Sequence, residues 1–323
     1  MLSKESRTTM LYHTVHTLCK LLSWFPFRVL YILSDLIFLI LYHLIRYRRK
    51  VVQHNLTTSF PDKTPAQIRH IRRQFYRFFC DYFVETIKLT TISPRTMLRH
   101  MTFRGVEELE QAALQQDNKL LFMYLGHYCN WEWVASLPYA ISPQIHCAQI
   151  YHPLYNKAVD RLFLNIRNQF GGECIPMKST LRRIIELKRQ GQPTVIGFIS
   201  DQLPKWNSIH YFVPFLHHDT AVFTGAEQIG RQVKAAYFFV HMQRPRRGHY
   251  ICTFQRMTPN ASHGTEYPYT TLFMEMLEDM IQKAPQYWLW THKRWKRTKE
   301  EWLQRQQAQA STQPPQPANT PQP

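Results

Sequence analysis

Gly126, His127 and Glu132 stand together in the stretch "LLFMYLGHYCNWEW" at 120–133. A histidine held against a carboxylate does general-base work: the imidazole takes a proton from a hydroxyl, and the carboxylate stabilises the imidazolium. Spacing alone carries little. With 16 histidines and 22 acidic residues in 323, a histidine five positions before a carboxylate arises about once by chance. Position says more. Residues 119–125 form an apolar run of strand length, and Asn130 can cap a short helix over 131–137 that Pro138 stops. His127 then lies in the turn leaving the carboxyl end of a strand, where α/β folds place their sites. Glu132 lies in the first turn of the helix, at the positive end of its dipole. Such a turn can fold the imidazole of His127 back onto Glu132. The same residues also read as a helix-start glutamate beside a structural histidine.

Other chemistries find no support in the motifs. The chain has no G-x-S-x-G elbow, no G-x-x-x-x-G-K-[ST] loop, no G-x-G-x-x-G and no H-E-x-x-H. Its six cysteines are scattered without C-x-x-C or Cys/His ligand spacing, which reads as reduced thiols and no metal site. A histidine–carboxylate pair without a protein nucleophile suits direct acyl transfer, in which a substrate hydroxyl attacks a thioester.

The elements that must position this pair read as an α/β domain. Strands are expected at 119–125, 145–151, 194–199, 211–215, 235–242 and 250–255. Helices are expected at 65–89, 131–137, 156–170, 180–190, 223–231 and 269–283, the first capped by Thr64 with Pro65 at its first position. Strands interleaved with helices predict a three-layer domain around a mixed sheet, over 51–303. Asp201 and Gln202 follow the strand at 194–199, so their loop can converge with that of His127.

The flanks differ. Residues 29–45 are apolar except for Ser34, Asp35 and His43, and a basic cluster (Arg46, Arg48, Arg49, Lys50) abuts them. A helix of that length reaches about 25 Å, slightly short of a hydrocarbon core, and Asp35 would cost roughly 2.5–3.5 kcal/mol at its centre. We read 1–50 as a membrane anchor with a basic flank, spanning or half-embedded, with the domain on the cytoplasmic side. From 304 the chain is rich in Gln and Pro and reads as a disordered tail. The net charge of +18 calls for an anionic partner. Basic stretches around Lys178, Arg182 and Arg183, and around Trp295, are the kind that bind nucleic acid, but no RRM, KH or zinc-finger pattern accompanies them.

Several blocks together resemble the late acyltransferases of lipid A biosynthesis, the lauroyl/myristoyl transferase family, within the wider glycerolipid-acyltransferase fold. They are the anchor and basic run, "NLTTSFPD" at 55–62, GHYCNWE, "IYHPLYNKAVDRLFLNIRNQFGGECIPMK" at 150–178, "ISDQLP" at 199–204, "FVPFL" at 212–216 and "APQYWLWTHKRWK" at 284–296. They run in matching order from about residue 10 to 300. Two departures stand out: His152 where many members carry Arg or Lys, and His217–His218 where a glycine-bearing loop is common. The resemblance implies an inner-membrane enzyme that moves a fatty acyl chain from acyl carrier protein onto a hydroxyl of a lipid A precursor, without metal or other cofactor. It implies His127 and Glu132 as the catalytic dyad. Arg167, Asp201 and Gln202 would line the substrate site beside Asn130, near whose helix start oxyanion donors are sought. On residue chemistry Arg167 can grip a phosphate and Asp201 can orient a headgroup or the attacking hydroxyl; a helix-end charge and a turn cap are their structural readings. Partners are then acyl-acyl carrier protein, an anionic glycolipid and the membrane, with no nucleic acid. A lysophospholipid, aminolipid or other glycolipid acceptor, or a catalytically silent lipid-binding protein, are the alternatives.

Overall fold

The computed structural model describes residues 4–115, 119–264 and 266–312. In chain order the elements begin with α1 (Lys4–Ser23), α2 (Phe27–Leu39), α3 (Arg49–Ser59), α4 (Pro65–Lys88) and α5 (Pro94–His100). Then come β1 (Met101–Arg104), α6 (Val106–Gln115), β2 (Leu120–Leu125), β3 (His146–Tyr151), α7 (Lys157–Asn168), β4 (Glu173–Pro176), α8 (Thr180–Arg189) and β5 (Thr194–Ile199). The chain continues with β6 (Tyr211–Phe215), β7 (His218–Val222), α9 (Gly225–Val233), β8 (Ala236–Arg246), β9 (His249–Arg256), α10 (Pro268–Lys283) and α11 (Lys299–Thr312). A π-helical turn, Ile40–Ile45, continues α2, and a 3-10 segment, Trp131–Tyr139, follows β2.

The sheet has seven strands in the order β1-β9-β8-β2-β5-β3-β4, parallel throughout except where β8 meets β9. All six residues of β2 are buried. Successive side chains of a strand point to opposite faces, so complete burial means that both faces are covered, and the expected mixed three-layer α/β arrangement follows. On one face Tyr124 stacks on Phe273 of α10, with ring centroids 5.0 Å apart. Strands β1, β4 and β7 fall outside the sequence expectation. Residues 131–139 form a 3-10 segment rather than an α-helix, with Pro138 inside it.

The hairpin β6–β7 turns at Leu216 and His217, with φ of 50° and 64°. Two positive φ values are what a two-residue hairpin turn of primed type requires, which is why glycine is common there. Here the Leu216 amide is held by the Glu278 carboxylate at 3.0 Å.

The N-terminal region is built into the domain. Thr64 and Gln67 form a reciprocal capping box at the start of α4, and Pro65 occupies its first turn. Phe27–Ile45 is the one segment among the described residues long and apolar enough to cross a membrane, 19 residues of mean hydropathy 1.8. One face of α2 nonetheless docks on α4. Ser34 donates to Asp81 at 2.7 Å, Tyr31 donates to Glu85 at 2.9 Å, and Arg247 bridges Asp35 and Asp81. Its other face leaves Val29, Ile32, Leu36, Leu39 and Ile40 exposed. At the other end, α11 runs to Thr312, through the first part of the segment read as a disordered tail; residues 313–323 lie outside the described residues. Its Lys, Glu, Gln and Ala residues are good helix formers, and Trp302 packs on Phe212 at 5.6 Å.

Asp81 is the hinge of this docking: buried, it carries Ser34, Arg244 and Arg247 at once. Removing a buried partner leaves the remaining charges uncompensated, at a cost of about 3–5 kcal/mol. Asp81→Ala is therefore expected to lower the unfolding free energy read from urea denaturation by that amount, and a loss below about 1 kcal/mol would contradict this role.

Candidate active site

Strands β2 and β5 are parallel neighbours in register from Leu120↔Thr194 to Leu125↔Ile199. Their following loops therefore leave the same edge, and the Ser200 amide ties the second loop to Leu125 at 3.2 Å. The loop after β2 must pass close to α10. A Cβ on Gly126 would lie 2.8 Å from Leu277 Cδ1, so only glycine fits without displacement.

The imidazole of His127 meets Asp201. Nδ1 lies 2.6 Å from Asp201 Oδ1, the His127 backbone amide donates to Oδ2 at 2.9 Å, and the Trp288 indole donates to Oδ2 at 2.8 Å. An ionised carboxylate only accepts, so the proton sits on Nδ1 and Nε2 is left as the basic nitrogen. Burial alone would raise Asp201, but the field of His127 and the bonds from His127 and Trp288 hold the carboxyl below its ordinary value. Gln202 completes the pair, its side-chain nitrogen 3.2 Å from His127 Nε2. The His127 side chain is 19% exposed and that of Asp201 1%. The imidazole is thus reachable and its partner is not. Trp131 stands edge-on to the imidazole at 4.9 Å and stacks on Tyr82 at 4.4 Å.

Glu132 takes another partner. Both of its oxygens accept from Arg167, Nε to Oε2 at 2.8 Å and Nη2 to Oε1 at 2.7 Å. The expected contact between His127 and Glu132 is therefore replaced by His127–Asp201, and Arg167 spends its fork on a carboxylate of its own chain. The reason is geometric: the 3-10 segment turns Glu132 toward α7, whereas the β2–β5 register brings Asp201 to His127. Burial lowers Arg167, yet the Glu132 field and hydrogen bonds raise it overall, so the guanidinium stays charged. Asn130 does not cap with its side chain. That side chain is fully buried and donates to Glu85 at 2.8 Å, and Glu85 also accepts from Tyr250 at 2.6 Å. Asn130 thus anchors the loop from behind.

Trp288, Trp131 and Glu85 were not singled out by sequence reasoning. For Trp288 a signal existed, the aromatic-rich run at 284–296, but which indole faces the site is decided by packing. Among the described residues no group of three or more His, Cys, Asp or Glu gathers as metal ligands.

If the Glu132–Arg167 pair is a structural clasp, Arg167→Met strands a carboxylate that is 5% exposed and destabilises the protein by about 3–5 kcal/mol. Adding Glu132→Gln to Arg167→Met recovers part of that loss in chemical denaturation. An unchanged stability in the single variant would contradict the clasp.

A known family shares this chain's sequence pattern. The family profile described as bacterial lipid A biosynthesis acyltransferase matches residues 2–297. A relative from Haemophilus influenzae, named lipid A biosynthesis acyltransferase, is 21% identical over 272 residues, covering 84% of this chain and 82% of its own. With almost the whole chain matched, the protein belongs to the bacterial lipid A biosynthesis acyltransferase family and is an acyltransferase.

Proposed function

We propose that the enzyme transfers a fatty acyl chain from an acyl carrier protein thioester to a hydroxyl on a hydroxyacyl chain of a lipid A precursor, with His127 as the general base. The observation that carries this reading is the His127–Asp201 pair, with a His127 side chain that is partly exposed. The acceptor hydroxyl displaces the Gln202 amide from Nε2 and gives its proton to that nitrogen. The oxygen attacks the thioester carbonyl carbon, and Asp201 stabilises the imidazolium. Collapse of the tetrahedral intermediate breaks the C–S bond, and the Nε2 proton leaves with the thiol, giving one ester and one free carrier thiol. Glu132, assigned to the dyad by resemblance, acts in this account through its clasp on Arg167, which fixes the far side of the loop.

The net charge of +18 suits an acidic carrier and an anionic glycolipid. Attachment is by a half-embedded face on the cytoplasmic side of the inner membrane. The exposed apolar residues of α2, with Trp24 and Phe25 before it, enter the lipid. Arg28, Arg46 and Lys50 meet its headgroups. A spanning α2 would carry its buried partners Asp81 and Glu85 into hydrocarbon, at several kcal/mol each.

Three measurements test these points. His127→Ala is expected to lower acyl transfer about 10²–10⁴-fold while the chain stays folded, and lipid A from a deletion strain to lack one secondary acyl chain by mass spectrometry. Unchanged lipid A with an altered aminolipid or phospholipid would overturn the acceptor. Cysteines at Lys20 and Lys50, on either side of the apolar segment, are expected to react with a membrane-impermeant maleimide from the same face. Labelling from opposite faces would show a span.

A further inference from the structure

Residues 284–297 form a strap behind the site. Its first part pairs with the His127 loop. Tyr128 and Trp288 form an antiparallel bridge, Cys129 N donates to Tyr287 O at 2.9 Å, and Leu289 N donates to His127 O at 3.1 Å. From this edge the Trp288 indole reaches Asp201 Oδ2 at 2.8 Å. The next residues, 290–292, lie in neither helix nor strand, so no ladder supplies partners for their carbonyls. Trp290 and Thr291 are buried, and a buried carbonyl must be paired in some other way.

Helix α3 supplies those partners. Asn55 Nδ2 donates to Trp290 O and to His292 O, both at 2.9 Å, and Arg48 Nη1 donates to Thr291 O at 3.0 Å. Arg48 and Asn55 are seven residues apart in sequence, about two helical turns, so both face the strap. Phe60, just past the helix, packs on the Trp290 ring with centroids 5.8 Å apart. Asparagine is a poor residue for a helix interior, yet Asn55 sits there buried, 4% exposed. Its amide presents both hydrogens to carbonyls two residues apart, which fixes the turn between them. The lever from there to the site is short. Trp290 N donates to Trp288 O at 2.9 Å, so a single tight turn separates the carbonyl that Asn55 holds from the indole that holds Asp201.

We propose that Asn55 is a positioning residue for acyl transfer: by holding the turn at 290–292 it seats the Trp288 indole on Asp201 and so aligns the Asp201–His127 pair. This rests on His127 being the base. Every link in the chain is a direct contact, from Asn55 to the Trp290 carbonyl, through the turn to Trp288, and from the indole to the carboxylate that holds the imidazole. The strap also touches the base's own backbone, through Leu289 N on His127 O. A shift of the strap therefore moves the carboxylate and the histidine loop together. The block at 55–62 acquires a role in this way, since Asn55 and Phe60 both bear on Trp290. A residue that only fastened α3 to the domain would, when removed, leave the Trp288–Asp201 bond as it was.

The test reads the Trp288 indole N–H by NMR of full-length protein in detergent, labelled with 15N-tryptophan, the signal being assigned by its loss in Trp288→Phe. In folded Asn55→Ala the indole proton is expected to exchange with solvent at least about tenfold faster, as befits a weakened bond to a charged acceptor. In the same variant kcat is expected to fall about 10–100-fold, the effect of a small misplacement of reacting groups, with KM for donor and acceptor within about threefold of wild type. Asn55→Ser, a milder change that keeps a small polar group, is read in the same way. An indole that exchanges as in wild type in a folded variant overturns the proposal, as does a displaced indole with unchanged kcat. Failure of both variants to fold overturns it too, since Asn55 would then serve structure alone. The indole measurement needs no turnover, so it stands apart from the base assignment, which fails instead if His127→Ala, assayed alongside, keeps its activity.

Discussion

The carboxylate of Asp201 is the contact on which the site depends. It is almost wholly buried and accepts three hydrogen bonds, from the His127 ring, the His127 amide and the Trp288 indole. A buried carboxylate so surrounded stays ionised and acts as a rigid acceptor. It fixes the tautomer of His127, the direction of Nε2, the path of the loop after β2 and the seat of the strap at 284–297. The register of β2 against β5 makes this contact available, because it places two sequence-distant loops at one edge of the sheet.

Behind that contact the protein manages an unusual amount of buried charge. Glu85, Asp81 and Arg244 lie between α4 and the β8–β9 hairpin, linking α2 on one side to Asn130 on the other. Glu132 and Arg167 form a second pair, joining the 3-10 segment to α7. These pairs are costly to assemble and worse to break singly, so they specify where each element docks more than they add stability. The outward apolar face of α2 is what such docking leaves over. The same helix therefore has a domain-bound side and an exposed apolar side.

Much of the frame was legible in the residues. The apolar runs of β2 and β5 announced strands, and Thr64 and Pro65 announced the start of α4. Short strands such as β1 and β4, four residues each, carry too little pattern to find. The helix at 299–312 was hidden by its glutamines, whose helix propensity a compositional reading overlooks. For the site, the position of His127 was readable and its partner was not. Glu132 is near in sequence, but the choice between it and Asp201 depends on strand register and on which face a 3-10 turn presents. Asp201 and Gln202 were nonetheless expected to converge on the same edge, because both follow a strand's carboxyl end.

The measurement that bears most directly on this account compares kcat for Asp201→Asn and Glu132→Gln, each confirmed folded. If Asp201 orients and charges His127, Asp201→Asn loses about 10²–10⁴-fold, since an amide supports the wrong tautomer and supplies no charge. Glu132→Gln, which loosens only the clasp on Arg167, loses about tenfold or less. The reverse order, with Glu132→Gln nearly inactive and Asp201→Asn close to wild type, would contradict it.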